Sequence, residues 1–363
     1  MEIKNVYTKI QQQLDLQLPF VAYQKANTHS LQVFLQEDSL LYEVKGGTDS
    51  GFVFAPFDSI HKKVLIPSQK STSYTVNTTD QTHNDHVGKS HFLPEHDIVL
   101  VSIKENHKQL VAQGKEAIKA GVFEKVVLSR REEIDTSITE NPLQLFKKLL
   151  FTYPKAFVYI WYHPQIGLWL GATPETLIKV KDHNFSTMAL AGTQPFIDTI
   201  NVDWGAKELV EQEMVTTYVI KELSTVVKDI EYSETYTDKA GTLLHLRTDI
   251  NGILSDTDTT IENIINVLHP TPAVCGLPKN EAKSFILKKE GYDRKYYTGF
   301  LGELNIKKEG KVMSEIFVNL RCMEIEKNKA ILYVGGGITK DSDPEKEWEE
   351  TVRKTETMKK VLF

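Results

Sequence analysis

Gly335-Gly336-Gly337-Ile338, then Asp341-Ser342-Asp343-Pro344-Glu345, then Lys346-Glu347-Trp348-Glu349-Glu350-Thr351-Val352-Arg353-Lys354 follow one another near the C-terminus. The apolar run Ala330 to Gly335 before them reads as a strand. The Ser/Asp-Pro step reads as the start of a helix. A glycine turn running into a helix start predicts free backbone N–H groups facing an anion. On that helix Glu347, Glu350 and Lys354 stand at i, i+3 and i+7, so one face carries two hard oxygen ligands and a positive charge. Taken alone, such a pair of carboxylates is more often a solvated face than a site.

Upstream, Lys207-Glu208-Leu209-Val210-Glu211-Gln212-Glu213 repeats the pattern, with Glu208 and Glu211 three apart in a long amphipathic stretch read as a helix from about 204 to 228. Two such carboxylate pairs converging on one point suit Mg²⁺, which takes a few carboxylates and often bridges to an anionic substrate.

Working outward, a short helix at about 5–15 precedes strands at Leu31–Leu35 and Gly51–Phe54. The polar stretch from Pro67 to Glu95 reads as a long loop, and its His83, His86, His91 and His96 match no ligand spacing. A helix from Glu105 to Ala120 stops at Gly121, and the strand Phe123 to Arg130 follows. A helix at about 141–151 leads into a hairpin, Ala156–His163 with Gly167–Gly171. Further strands are predicted at Tyr297–Ile306 and Phe317–Ile325. Strands arrive in antiparallel groups instead of alternating with helices. The fold class expected is therefore α+β: large, mostly antiparallel β-sheets packed together with helices on the outside.

The 363 residues, 40% of them hydrophobic, are enough for one large domain or two ordinary ones. A formal net charge of −6 argues against non-specific nucleic-acid binding, so an anionic ligand needs local positive charge. Cys275 and Cys322 form no CxxC spacing, and neither a disulfide framework nor a zinc site is expected. The first twenty residues lack the apolar run of a signal peptide, and no stretch reaches the ~20 apolar residues of a membrane span. A cytoplasmic location, no membrane association and a monomer are the corresponding expectations.

Two more positions carry chemistry. Lys125 interrupts the apolar strand FEKVVLS and shares a face with Val127, not with Val126 or Leu128. A lysine there is either exposed or held in a desolvating pocket that lowers its pKa. Glu175 follows Gly171-Ala172-Thr173-Pro174, where the proline fixes the turn that presents it. The plain alternative for Glu175 is a first-turn helix carboxylate.

FEKVVLSR, GATPETL, ALAGT, WGAKELVEQE, LHPTPAVCGLP, RKYYTGFLG, VNLRCMEI and GGGITKDSDPEKEWEETVRK occur in the order and approximate spacing of the chorismate-utilising enzymes. The set resembles most the isochorismate synthases of that family, over about residues 100–363. The resemblance implies the chorismate-utilising fold, with residues 1–95 as an N-terminal α/β region integrated into it and 96–363 as the chorismate-binding catalytic domain. It further implies Lys125 as general base and Glu175 as general acid, and Mg²⁺ on Glu211 and Glu350, with Glu208 and Glu347 beside them. Arg321 and Tyr297 would grip the enolpyruvyl carboxylate. Ala191, Gly192 and Thr193 would meet the ring carboxylate, His245 would lie near the ring, and Gly336, Gly337 and Lys354 would contact anionic groups.

The implied reaction adds water at C2 of chorismate and removes the C4 hydroxyl. Salicylate synthases share the lysine and the acid and are the alternative, differing by a threonine about where Ala273 stands. The ammonia-using branches lack the lysine base, and the nucleophilic lysine of one of them falls where this chain has Ala191. One departure from the family pattern is Gln212, where a histidine is common. Whether the product feeds menaquinone or a siderophore is not written in these residues.

Overall fold

In a computed structural model the described residues are 2–79, 97–135, 141–240, 243–255 and 260–363. Two antiparallel sheets stack face to face, one of nine strands and one of ten. The segment Phe157–His163 shows why. Its odd members Phe157, Tyr159 and Trp161 enter an aromatic core shared with Phe52, Phe54 and Phe317 of the other sheet, while Val158 and Ile160 point the opposite way. Side chains alternate across a strand, so a run apolar at every position is buried on both faces.

The outer face of the nine-stranded sheet is covered by helices Ile3–Asp15, Pro142–Thr152 and Pro344–Leu362, which contribute Ile10, Phe146, Leu149 and Val361. The outer face of the ten-stranded sheet is covered by helices Ala206–Leu223 and Ile261–Leu268. The result is helices, sheet, sheet, helices, which is the α+β layering expected. Residues 20–77 supply strands to both sheets, through pairings with Phe157–His163 and with Phe300–Lys308.

Three local readings change. Within the supposed polar loop, Ser71–Asn77 is a strand paired along its length with Ser30–Gln36. It is the edge of its sheet and buries only Val76, so it needs no apolar pattern; its serines and threonines suit a solvated edge. The four histidines of that stretch lie outside the described residues. Second, the strand expected over Phe317–Ile325 is two strands, Lys311–Val318 in one sheet and Cys322–Glu326 in the other. An apolar run cannot signal a change of sheet, because both halves are buried. Third, the helix read to about 228 ends at Leu223, and Val227–Tyr232 is an edge strand.

Candidate active site

The chain crosses between the sheets at two places that lie side by side. Pro174-Glu175 joins strand Gly167–Thr173 to strand Thr176–Lys181, and Asn319-Leu320-Arg321 joins Lys311–Val318 to Cys322–Glu326. They are sewn together: Val318 N–H donates to Glu175 O at 3.0 Å, Ala172 N–H to Arg321 O at 3.0 Å, and the Thr173 hydroxyl to Val318 O at 2.7 Å. Arg321 has φ 48°, a left-handed conformation rare outside glycine, which this close crossing enforces. Beside the crossings opens a cleft of about 830 Å³, counting its mouth.

Glu175 lines this cleft and is buried. Burial pushes its carboxyl up to about 7, against the opposing pull of Arg321, Lys125 and Lys354. Lys125 stands just behind the lining, fully buried, with Nζ 2.7 Å from Glu211 Oε1 in a charge pair that lies off the hydrogen-bonding direction. The strand alternation holds: Val127 lines the cleft, whereas Val126 and Leu128 pack with Leu110, Val111 and Ile286 on the other face.

Tyr297 and Arg321 both line the cleft, and neither the phenol nor the guanidinium has a hydrogen bond or ion pair among the described residues. Burial keeps the phenol protonated, so both are donors awaiting an acceptor. His245 donates from Nδ1 to Gly192 O at 2.8 Å. Burial, aided by the charge of Arg321, lowers its pKa to about 4. The ring is therefore neutral, and its buried Nε2 is an acceptor with no donor among the described residues. Gly192, at φ 66°, forms the bulge that turns Ala191, Gly192 and Thr193 toward the cleft.

The expected glycine turn is not a turn. Gly335, Gly336 and Gly337 belong to strand Lys329–Ile338, opposite Ser129, Leu128 and Val127. The helix N-terminus after them is closed, since Asp343 Oδ1 accepts from the amides of Glu345 and Lys346 at 3.0 Å each. The glycines act by leaving room. A Cβ on Gly337 would lie 2.5 Å from Glu211 Oε1, and one on Gly336 would lie 3.3 Å from Glu347 Oε2 and 3.6 Å from Glu350 Oε1.

Glu208, Glu211 and Glu350 line the cleft with Lys354, and Glu347 adjoins it at Gly336. They are not gathered into a ready cage: among the described residues no three acidic, histidine or cysteine groups stand within metal-holding reach of each other. Lysines hold them apart. Glu347 takes Lys207 at 2.6 Å, Glu350 takes Lys354 at 2.6 Å, and Glu211 takes Lys125. Glu347 Oε2 is nonetheless buried and, although the Ser342 hydroxyl lies near this carboxyl, meets no donor in bonding geometry among the described residues. Burial, reinforced by the charge of Glu350, raises its pKa even against Lys207. Burial is the largest influence on Glu350 and acts to raise it, but the charges of Lys354, Lys207 and Arg353 together hold that carboxyl below its ordinary value. An orphaned buried oxygen among repelling carboxylates, in a space kept clear by glycine, fits a hard divalent cation.

Sequence reasoning gave no role to Lys207 or Arg294. The Lys207–Glu347 pair spans 140 residues and has no local signal. Arg294 is buried, paired with Glu290, and donates to Val127 O at 2.7 Å and Val274 O at 2.9 Å, which ties two walls of the cleft together. Gln212 is explained: it bonds Ala189 O and Thr248 Oγ1, each at 3.1 Å, and seats its helix on the sheet.

The fold and the cleft define an enzyme of the chorismate-binding class, and the profile of the family described as "Chorismate binding enzyme" matches residues 59–363. The chain belongs to that family. It is 28% identical to isochorismate synthase DhbC of Bacillus subtilis over 324 residues, which cover 85% of this chain and 79% of that protein. It is 30% identical over 264 residues to the vibriobactin-specific isochorismate synthase of Vibrio cholerae, covering 70% and 66%. Its fold matches that of MenF, the menaquinone-specific isochorismate synthase of Escherichia coli, with a TM-score of 0.76 at 22% identity, covering 95% of this chain and 89% of that one. Among the described residues no helix is long and apolar enough to cross a membrane.

Proposed function

We propose that the protein is an isochorismate synthase, an isomerase that converts chorismate to isochorismate. The observation that carries this reading is Glu175, a buried carboxyl whose pKa is raised to about 7 in a cleft that also holds unpaired carboxylate-binding donors. A group at that pKa is protonated often enough near neutrality to protonate a departing hydroxyl. Arg321 and Tyr297 orient the substrate through a carboxylate, which suits the planar guanidinium fork. Lys125, in its neutral amine form, takes a proton from water as the water oxygen bonds to C2. The double bonds shift around the ring, and the C4–O bond breaks as Glu175 protonates the oxygen. One water enters and one leaves.

Mg²⁺ held by Glu208, Glu211, Glu347 and Glu350 would supply positive charge for a substrate carboxylate. Names of relatives carrying isochorismate synthase activity support the reaction, and they span both a menaquinone-specific and a vibriobactin-specific protein. Menaquinone and siderophore biosynthesis are the outlets these names suggest for the product.

The test is product analysis. Purified protein incubated with chorismate and Mg²⁺ should yield isochorismate by chromatography. Salicylate with pyruvate would assign the salicylate synthase reaction instead, despite the small Ala273 in the cleft wall.

A further inference from the structure

A second cavity, of about 960 Å³ counting its mouth, opens next to the cleft and shares with it two wall residues, Pro174 and Arg321. Among the described residues its charged lining is cationic, Lys155, Lys239 and Arg321, with no carboxylate in the wall. The cleft itself differs, since its lining mixes Glu175, Glu208, Glu211 and Glu350 with Lys207, Arg321 and Lys354. A dianion approaching a chain of net charge −6 is repelled over the surface as a whole, so a locally cationic path favours its approach.

Arg321 stands at the junction of the two spaces. Its guanidinium has no protein partner among the described residues, and a neutral tyrosine lies on each side of it, Tyr297 in the cleft wall and Tyr153 in the wall of the second cavity. Lys239 is exposed and positioned by Phe196, with Nζ 3.1 Å from the ring centre. Lys155 is also exposed, in the turn that follows helix Pro142–Thr152.

We propose that this cavity is the antechamber of the active site, which captures a small ring-bearing dicarboxylate on Lys155 and Lys239 and passes one carboxylate to Arg321 on its way into the cleft. The inference rests on the reading of the cleft as a chorismate site. It adds the route and the residues that guard it. Capture by exposed lysines works through long-range charge, so it acts on encounter and weakens as salt shortens the screening length.

The experiment measures kcat/KM and kcat with chorismate and Mg²⁺ at low and high KCl, for the wild type and for the paired substitution Lys155→Glu with Lys239→Glu. Two charge reversals on the path of a dianion should lower kcat/KM about tenfold at low salt, remove or invert its fall with added salt and leave kcat within about twofold. Lys155→Arg with Lys239→Arg should restore the wild-type value. A charge-reversed protein with wild-type kcat/KM and the same salt slope overturns the antechamber while the cleft assignment stands. A wild-type protein that leaves chorismate unchanged overturns the cleft assignment, and the antechamber falls with it.

Discussion

Glu175 shows what burial does to one side chain. Its carboxyl rises from an ordinary 4.5 to about 7, so the folded state holds a proton that the unfolded chain gives up earlier. The destabilisation is absent below about pH 4.5, grows as pH rises toward 7, and levels off above, reaching about 3 kcal/mol. Glu175→Gln should therefore be more stable than wild type at pH 8 and nearly equal at pH 4.5, as read by urea unfolding at both. An equal difference at the two pH values would mean the carboxyl ionises normally. The same variant should bind chorismate yet fail to convert it, and the wild-type rate should fall as pH climbs through about 7. Lys125→Ala should lower turnover by roughly 10²–10⁴ with little change in chorismate affinity, measured by steady-state kinetics beside equilibrium binding. Near-full turnover would remove Lys125 from the base role. Both positions were legible in the sequence: a lysine in an apolar strand and a glutamate after a Pro turn are local anomalies. The lysine partners of the carboxylates were not legible, because Lys207 meets Glu347 only after folding.

At the scale of elements, helix Pro344–Leu362 delivers Glu347, Glu350 and Lys354 to the cleft along one face. Its start is fixed by Asp343, which accepts two first-turn amides. Asp343→Ala should cost about 1 kcal/mol in thermal or urea unfolding and, by fraying the turn that carries Glu347, raise the Mg²⁺ concentration needed for half-maximal activity. A change in stability with no change in metal requirement would show that the cap does not govern the carboxylates. Helices and hairpins of this kind were readable from periodicity and caps. The crossings at Pro174-Glu175 and Asn319-Arg321 were not, since a strand that changes sheets keeps its apolar pattern throughout. The glycines at 335–337 were misread for a related reason: glycine marks a turn locally, but here it marks space needed by side chains from other elements.

The whole molecule is two sheets sharing an aromatic core, and the cleft lies where the chain passes from one to the other. Its walls come from strands, turns and helices spread from Val127 to Lys354, so ligand binding should be coupled to global stability. Mg²⁺ at about 100 times its dissociation constant should stabilise the wild type by about 2.7 kcal/mol, seen as a raised melting temperature, and Glu350→Gln should lose most of that shift. Chelation should abolish activity and added Mg²⁺ restore it. An unchanged melting temperature together with full activity in excess EDTA would remove the metal from the site. The sequence by itself determined the α+β class, the strand carrying Lys125, the turn presenting Glu175, the acidic helix faces and the family, because each is written in local period, punctuation or motif. Only the tertiary structure decided the pKa of Glu175, the sheet crossings beneath Arg321, the lysines that hold the carboxylates and the cationic cavity beside the cleft. Those depend on burial and on contacts between residues far apart in the chain, which no local pattern encodes.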